Sequence, residues 1–212
     1  MYKRQDLALL AKVNAAVGAG TAVDLSDWDP AEAANSFTDT TVDTIVLEVS
    51  HDHPQLRPGA EIGVWAATKL ATDAGGWRQV NRAGHPMMWP IFWPTDVQFD
   101  LGVDTQHVAT DLASEQAHIA EHIAATVAAT GTVGDPAGYA QTVAAELFPD
   151  VLSYTVGTPA TYGFAVRNGR TLADNAPEVM LSLVTGAAVP SGLSPATNAH
   201  LRTAEFPYVV PA

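Results

Sequence analysis

Residues 104–148 constrain the fold most, because their alanine-rich composition and apolar period admit one local structure. Leu112, Ile119, Ile123 and Val127 fall on a single helical stripe that Gly131 can close. A second helix is predicted to follow. Asp135-Pro136 supplies its cap and first position, Tyr139, Val143 and Leu147 its apolar face, and Pro149 its stop. Two helices joined by so short a link predict an antiparallel helical hairpin, each with an apolar face that needs a partner.

Elsewhere the period changes. Leu7, Leu10, Val13 and Val17 predict a short helix capped by Asp6 and ended near Gly18 and Gly20. Asp29-Pro30-Ala31-Glu32 starts one or two further turns, up to Phe37. Thr44-Ile45-Val46-Leu47-Glu48-Val49 and Ile62-Gly63-Val64-Trp65-Ala66 are β-branched and nearly continuous in apolar character, and they predict two strands across a Pro54, Pro58 and Gly59 loop. Trp77-Arg78-Gln79-Val80-Asn81-Arg82 predicts a third. Three prolines in residues 85–94 exclude a central strand there. Tyr162-Gly163-Phe164-Ala165-Val166 runs into Arg167-Asn168-Gly169-Arg170, where Asn-Gly predicts a β-hairpin. Its second strand would be Thr171 and Leu172 or, further on, residues 179–184. The expected class is therefore α+β: an antiparallel sheet or sandwich carrying a two-helix insertion at residues 104–148, in one domain over residues 6–212.

Composition bounds the function classes. With 47% hydrophobic and 16% charged residues the chain reads as globular and soluble, and no apolar run is long enough to span a membrane. A formal charge of −13 repels phosphate backbones, so nucleic acid is not an expected partner. The absence of cysteine excludes disulfides, thiolate catalysis and Cys-ligated metals, and is compatible with either a reducing or an oxidising compartment. Met1-Tyr2-Lys3-Arg4-Gln5 is the translation of a sequencing-adapter end, GTG TAT AAG AGA CAG. That reading predicts an N-terminally truncated chain, the C-terminal part of a longer protein, with exposed sheet edges where missing strands would pair.

Three constellations could carry chemistry. His51-Asp52-His53 follows the first predicted strand; residues two apart face the same way, so His51 and His53 could meet one divalent metal ion with Glu48 as a carboxylate ligand. The competing reading makes them polar caps on a loop, since Pro54 follows at once. On the helical hairpin, His118-Ile119-Ala120-Glu121-His122 matches the H-x-x-E-H string of inverted zinc peptidases. Asp111, Glu115, His118 and His122 also fall within about 60° of one another on a helix, and Glu115 to His118 has the E-x-x-H spacing of di-metal bundles. Against this stands a plain solvated face. Third, Trp65, Trp77, Trp89 and Trp93 could line a small-molecule or protein-partner surface on the sheet, or simply pack. No G-x-S-x-G and no phosphate-binding glycine loop is present.

The runs 44–49, 62–68 and Gln79-Val80-Asn81-Arg82-Ala83-Gly84-His85-Pro86, then Asn168-Gly169-Arg170-Thr171-Leu172-Ala173-Asp174-Asn175, residues 178–183 and Phe206-Pro207-Tyr208, resemble in order the bacterial family catalogued as domain of unknown function 4331. The resemblance implies a β-rich N-terminal portion with a Ser-His-His signature upstream of this chain, and it transfers no catalytic residue. His85-Pro86 stands where members commonly have Asn-Pro. The function expected is a ligand- or partner-binding β-rich module, with a metal-binding protein or metal-dependent enzyme, its His-x-His site completed by the upstream portion, as the alternative.

Overall fold

A computed structural model describes residues 5–38, 40–50, 52–92 and 105–210, with Trp89 described by its backbone alone. Helices, not strands, build the core. Helix α1 (Leu7–Ala19) is capped as expected: Asp6 Oδ1 accepts the N–H groups of Ala8 and Leu9, and Gly20 closes the helix in the left-handed conformation. Gly18 lies inside the helix rather than beyond it. The turn at Pro30–Glu32 ends there instead of reaching Phe37. The three-proline stretch holds a short helix, α2 (Met88–Phe92), that buries Ile91 and Phe92.

The predicted helical hairpin forms. After a turn at Val108–Thr110 and the single-turn α3 (Asp111–Ser114), helix α4 (Gln116–Thr130) buries Ile119, Ile123 and Val127, and Gly131 ends it at φ +71°. A side chain is strained at that φ, so glycine is needed. Helix α5 (Pro136–Leu147) starts on Asp135, whose carboxylate accepts the Gly138 N–H, and buries Ala140, Val143, Ala144 and Leu147. These faces meet Leu9, Val13 and Val17 of α1 and Met180, Leu181 and Val184 of α6 (Ala176–Thr185) in one cluster. Each large aliphatic buried this way contributes about 1.5–3 kcal/mol. The hairpin thus supplies much of the buried core among the described residues.

The β-structure is small and antiparallel. Strand β1 (Glu61–Val64) pairs with β4 (Leu152–Thr155), β2 (Ala66–Ala71) with β3 (Trp77–Ala83), and β5 (Thr161–Tyr162) with β6 (Arg167–Asn168). Gly169 N–H donates to the Ser153 carbonyl at 2.6 Å and Asn168 Oδ1 accepts the Thr155 N–H, which seats β6 beside β4. The molecule is α+β, with these two-stranded ladders around a helical core.

Three strand expectations are corrected. Residues 43–49 form no strand: among the described residues their backbone makes no hydrogen bond. Asn168-Gly169 is not a hairpin turn, because β5 already returns through residues 163–166 and Gly169 lies beyond β6. Residues 179–184 are helical. A continuous apolar run suits a buried strand or a buried helix equally, and here Pro177 in the first turn and Gly186 at the left-handed C-cap select the helix. Among the described residues no helix is long and apolar enough to cross a membrane.

Candidate functional site

Described residues line a groove of about 550 Å³. One wall is Thr44, Ile45, Val46 and Leu47; the other is residues 170–173, just past β6, and the chain around Arg202. A local fold-back builds that second part. Arg202 bridges Val209, Val210 N–H donates to the Leu201 carbonyl, and Thr203 N–H to the Tyr208 carbonyl, so Pro207 and Tyr208 turn inward. Tyr208 adopts φ +67°, a left-handed conformation that costs a non-glycine residue about 1 kcal/mol or more.

Two guanidinium groups give the groove its chemistry. Arg202 donates from Nη2 to the Pro195 carbonyl at 2.7 Å, while its Nε is buried and finds no hydrogen-bond partner among the described residues. Burial pulls Arg170 below the ordinary arginine value, and the charge of Asp174 acts against that pull. Asp174 is itself committed: its Oδ2 accepts the N–H groups of Tyr162 and Thr171. The remaining lining is largely apolar, from Ile45, Leu47, Leu172, Pro207 and Val209. Such a surface suits an apolar occupant that also carries a carboxylate.

Behind the ladders lies a second polar cluster, fully enclosed. Arg82 reaches from β3 to Asp111 in a two-point ion pair, Nη1 to Oδ2 at 2.9 Å and Nη2 to Oδ1 at 2.5 Å. Asp111 also accepts the Asp150 N–H, and Asp150 Oδ1 accepts the His85 N–H at 2.7 Å. His85 Nδ1 lies 3.2 Å from the Tyr162 hydroxyl, which donates to Met180 Sδ. Burial raises Asp150 to about 6 and lowers His85 to about 4. A β-carbon at Gly84 would collide with the Asp150 carbonyl, so glycine is what lets these two segments approach. The cluster fastens the β2–β3 hairpin to the helices; its members are too buried to meet a substrate.

The residues singled out in the sequence are dispersed. Trp65 precedes β2 and meets His107 edge-on at 5.6 Å, whereas Trp77 opens β3 at the far end of the same ladder and is 73% exposed. Six paired residues separate them, so they share no concavity. Trp93 and the Trp89 side chain lie outside the described residues. So does His51; His53 is exposed, its Nδ1 accepting the Gln55 N–H as a loop cap, and Glu48 is exposed. Met1 to Arg4 are likewise outside, while Gln5 is buried, its backbone bonded to Asn35 and Ser36.

The four-residue helical row is divided. Asp111 turns to Arg82, and the helix is interrupted at Glu115, which lies between α3 and α4 and accepts from Gln106. His118 and His122 stay together, their Nε2 atoms 3.1 Å apart. Burial, then the neighbouring His118, lowers His122 from the ordinary histidine value. Among the described residues no group of three or more His, Asp or Glu side chains is placed to hold a metal. The groove arginines were missed in the sequence. Arg170 follows the Asn-Gly pair that stands out in the sequence, but nothing local brings Arg202 to it from thirty-two positions away. Family models, curated proteins and solved structures all yield no match to this chain.

Proposed function

We propose that the protein is a binding module whose working surface is the groove between residues 44–47 and the Arg170–Arg202 wall, and whose occupant is an extended polypeptide segment carrying apolar side chains and a carboxylate. The observation that carries this is the state of residues 43–49. Among the described residues their backbone groups find no partner, and Ile45, Leu47 and Val49 are 89%, 82% and 61% exposed on alternate positions. A row of free N–H and C=O groups beside an apolar trough is the arrangement that strand addition uses. Main-chain bonds then supply affinity, alternate side chains enter the trough, and the positive charges of Arg170 and Arg202 in the lining attract the carboxylate.

The test is selection of displayed random peptides on the native chain, followed by affinity measurement with Leu47→Glu and Arg202→Gln. Enriched peptides that alternate apolar residues and include an acid, and that bind each variant at least about ten-fold more weakly, support the reading. Failure to enrich any sequence, or peptides indifferent to both changes, sinks it. Amide hydrogen exchange over residues 43–49 should slow when such a peptide binds.

A further inference from the structure

We propose that His118 and His122 form a two-nitrogen site for a divalent transition-metal ion at the seam of α1 and α4, with Cu²⁺ as its strongest ligand. Histidines four apart on a helix share one face. What this structure adds is their geometry. The two Nε2 atoms stand 3.1 Å apart with the rings nearly perpendicular, at 89°. Two imidazole nitrogens each about 2.0–2.1 Å from one ion, at an angle between square and tetrahedral, are separated by about 2.8–3.4 Å. The observed separation falls within that range.

The seam fixes the orientation of one ligand. His122 Nδ1 lies 3.3 Å from the Val17 carbonyl of α1. A carbonyl only accepts, so the proton sits on Nδ1 and the Nε2 lone pair points toward His118. A backbone acceptor behind the ring is the usual second support of a metal-binding histidine. In the metal-free protein His118 donates its Nε2–H into that lone pair. On binding, the proton moves to His118 Nδ1, on an exposed ring.

Two protein nitrogens leave further positions for water or a small anion, so the site is open and exchangeable, not a closed structural centre. Imidazole ligation and the ordering of divalent ions place Cu²⁺ ahead of Ni²⁺ and Zn²⁺. The site is remote in chemistry from the arginine groove, and its test is independent of peptide binding.

The experiment is titration of the full chain with Cu²⁺, read by calorimetry and by electron paramagnetic resonance, with His118→Gln, His122→Gln and His53→Gln beside it. One ion per chain, a spectrum reporting two imidazole nitrogens, and at least about a ten-fold loss of affinity in His118→Gln with none in His53→Gln are expected. His118 is exposed, so its variant keeps the question open to refutation even if His122→Gln is destabilised. No uptake by the native chain, or uptake that survives His118→Gln unchanged, overturns the proposal.

Discussion

The helical core and residues 42–83 are both rich in aliphatic side chains, yet they end in opposite environments. Ile119, Ile123, Val127 and Leu147 are fully buried; Val42, Ile45, Leu47, Val49, Val64, Leu70 and Trp77 are largely exposed. The difference lies in where each pattern can find a partner. An apolar helical stripe is satisfied by another stripe in any nearby helix, and α1, α4, α5 and α6 supply four. An extended run must find both an apolar face and a row of backbone donors and acceptors. Residues 43–49 find neither within the described chain, and that is why they are read as a docking edge.

The two regions are fastened through the Arg82–Asp111 pair. Asp111→Ala removes the two-point carboxylate partner of the Arg82 guanidinium, which is only 2% exposed, and should cost about 3–5 kcal/mol in chemical denaturation. Replacing both, as Arg82→Met with Asp111→Leu, should recover much of that loss, although Asp150 N–H also loses its acceptor. A single-variant cost below about 1 kcal/mol would mean that the hairpin is not anchored through this pair.

Next in size, Ile123→Ala in α4 should destabilise by about 2–5 kcal/mol, through lost burial and the cavity left behind. Leu47→Ser removes an equally apolar side chain and should change stability by no more than about 0.5 kcal/mol. Comparable losses in the two would show that residues 43–49 are packed in solution, and the contrast would fail.

A pH experiment sharpens it. Asp150, raised to about 6, contributes stability that is full below its ordinary value of 3.8 and is lost as pH rises through 6. His85, lowered to about 4, contributes stability that is full above 6.5 and is lost as pH falls through 4. The two slopes oppose each other between pH 4 and 6 and largely cancel in the native chain. Asp150→Asn removes one of them, so stability should then climb by about 3 kcal/mol from pH 4 to 6.5 in denaturant titrations. A flat profile in that variant would detach His85 from the buried cluster. The smallest effect concerns a cap: Gly131→Ala, strained at φ +71° but with open space around it, should cost about 1 kcal/mol in thermal unfolding.

Much of the helical architecture was legible. Asp6, Asp135, Pro136 and Gly131 mark real helix ends, because capping depends on groups within a few residues. The strand at Trp77–Ala83 was legible for the same local reason. Residues 179–184 were not, since a largely buried helix loses most of the polar face that would reveal its period. Of the proposed sites, the sequence brought His118 and His122 onto one face but grouped with them Asp111, whose orientation is decided by Arg82 from another element.

Read alone, the sequence is enough for α1, α4 and α5 with their caps, the alternating third strand and the net negative charge, all properties of neighbours along the chain. Tertiary structure alone decided that the helical hairpin supplies much of the buried core, that Arg170 and Arg202 share a groove, that Trp65 and Trp77 stand apart, and that Val17 orients His122. Each of those pairs residues far apart in sequence, and their meeting depends on how helices and ladders pack, which no local period encodes.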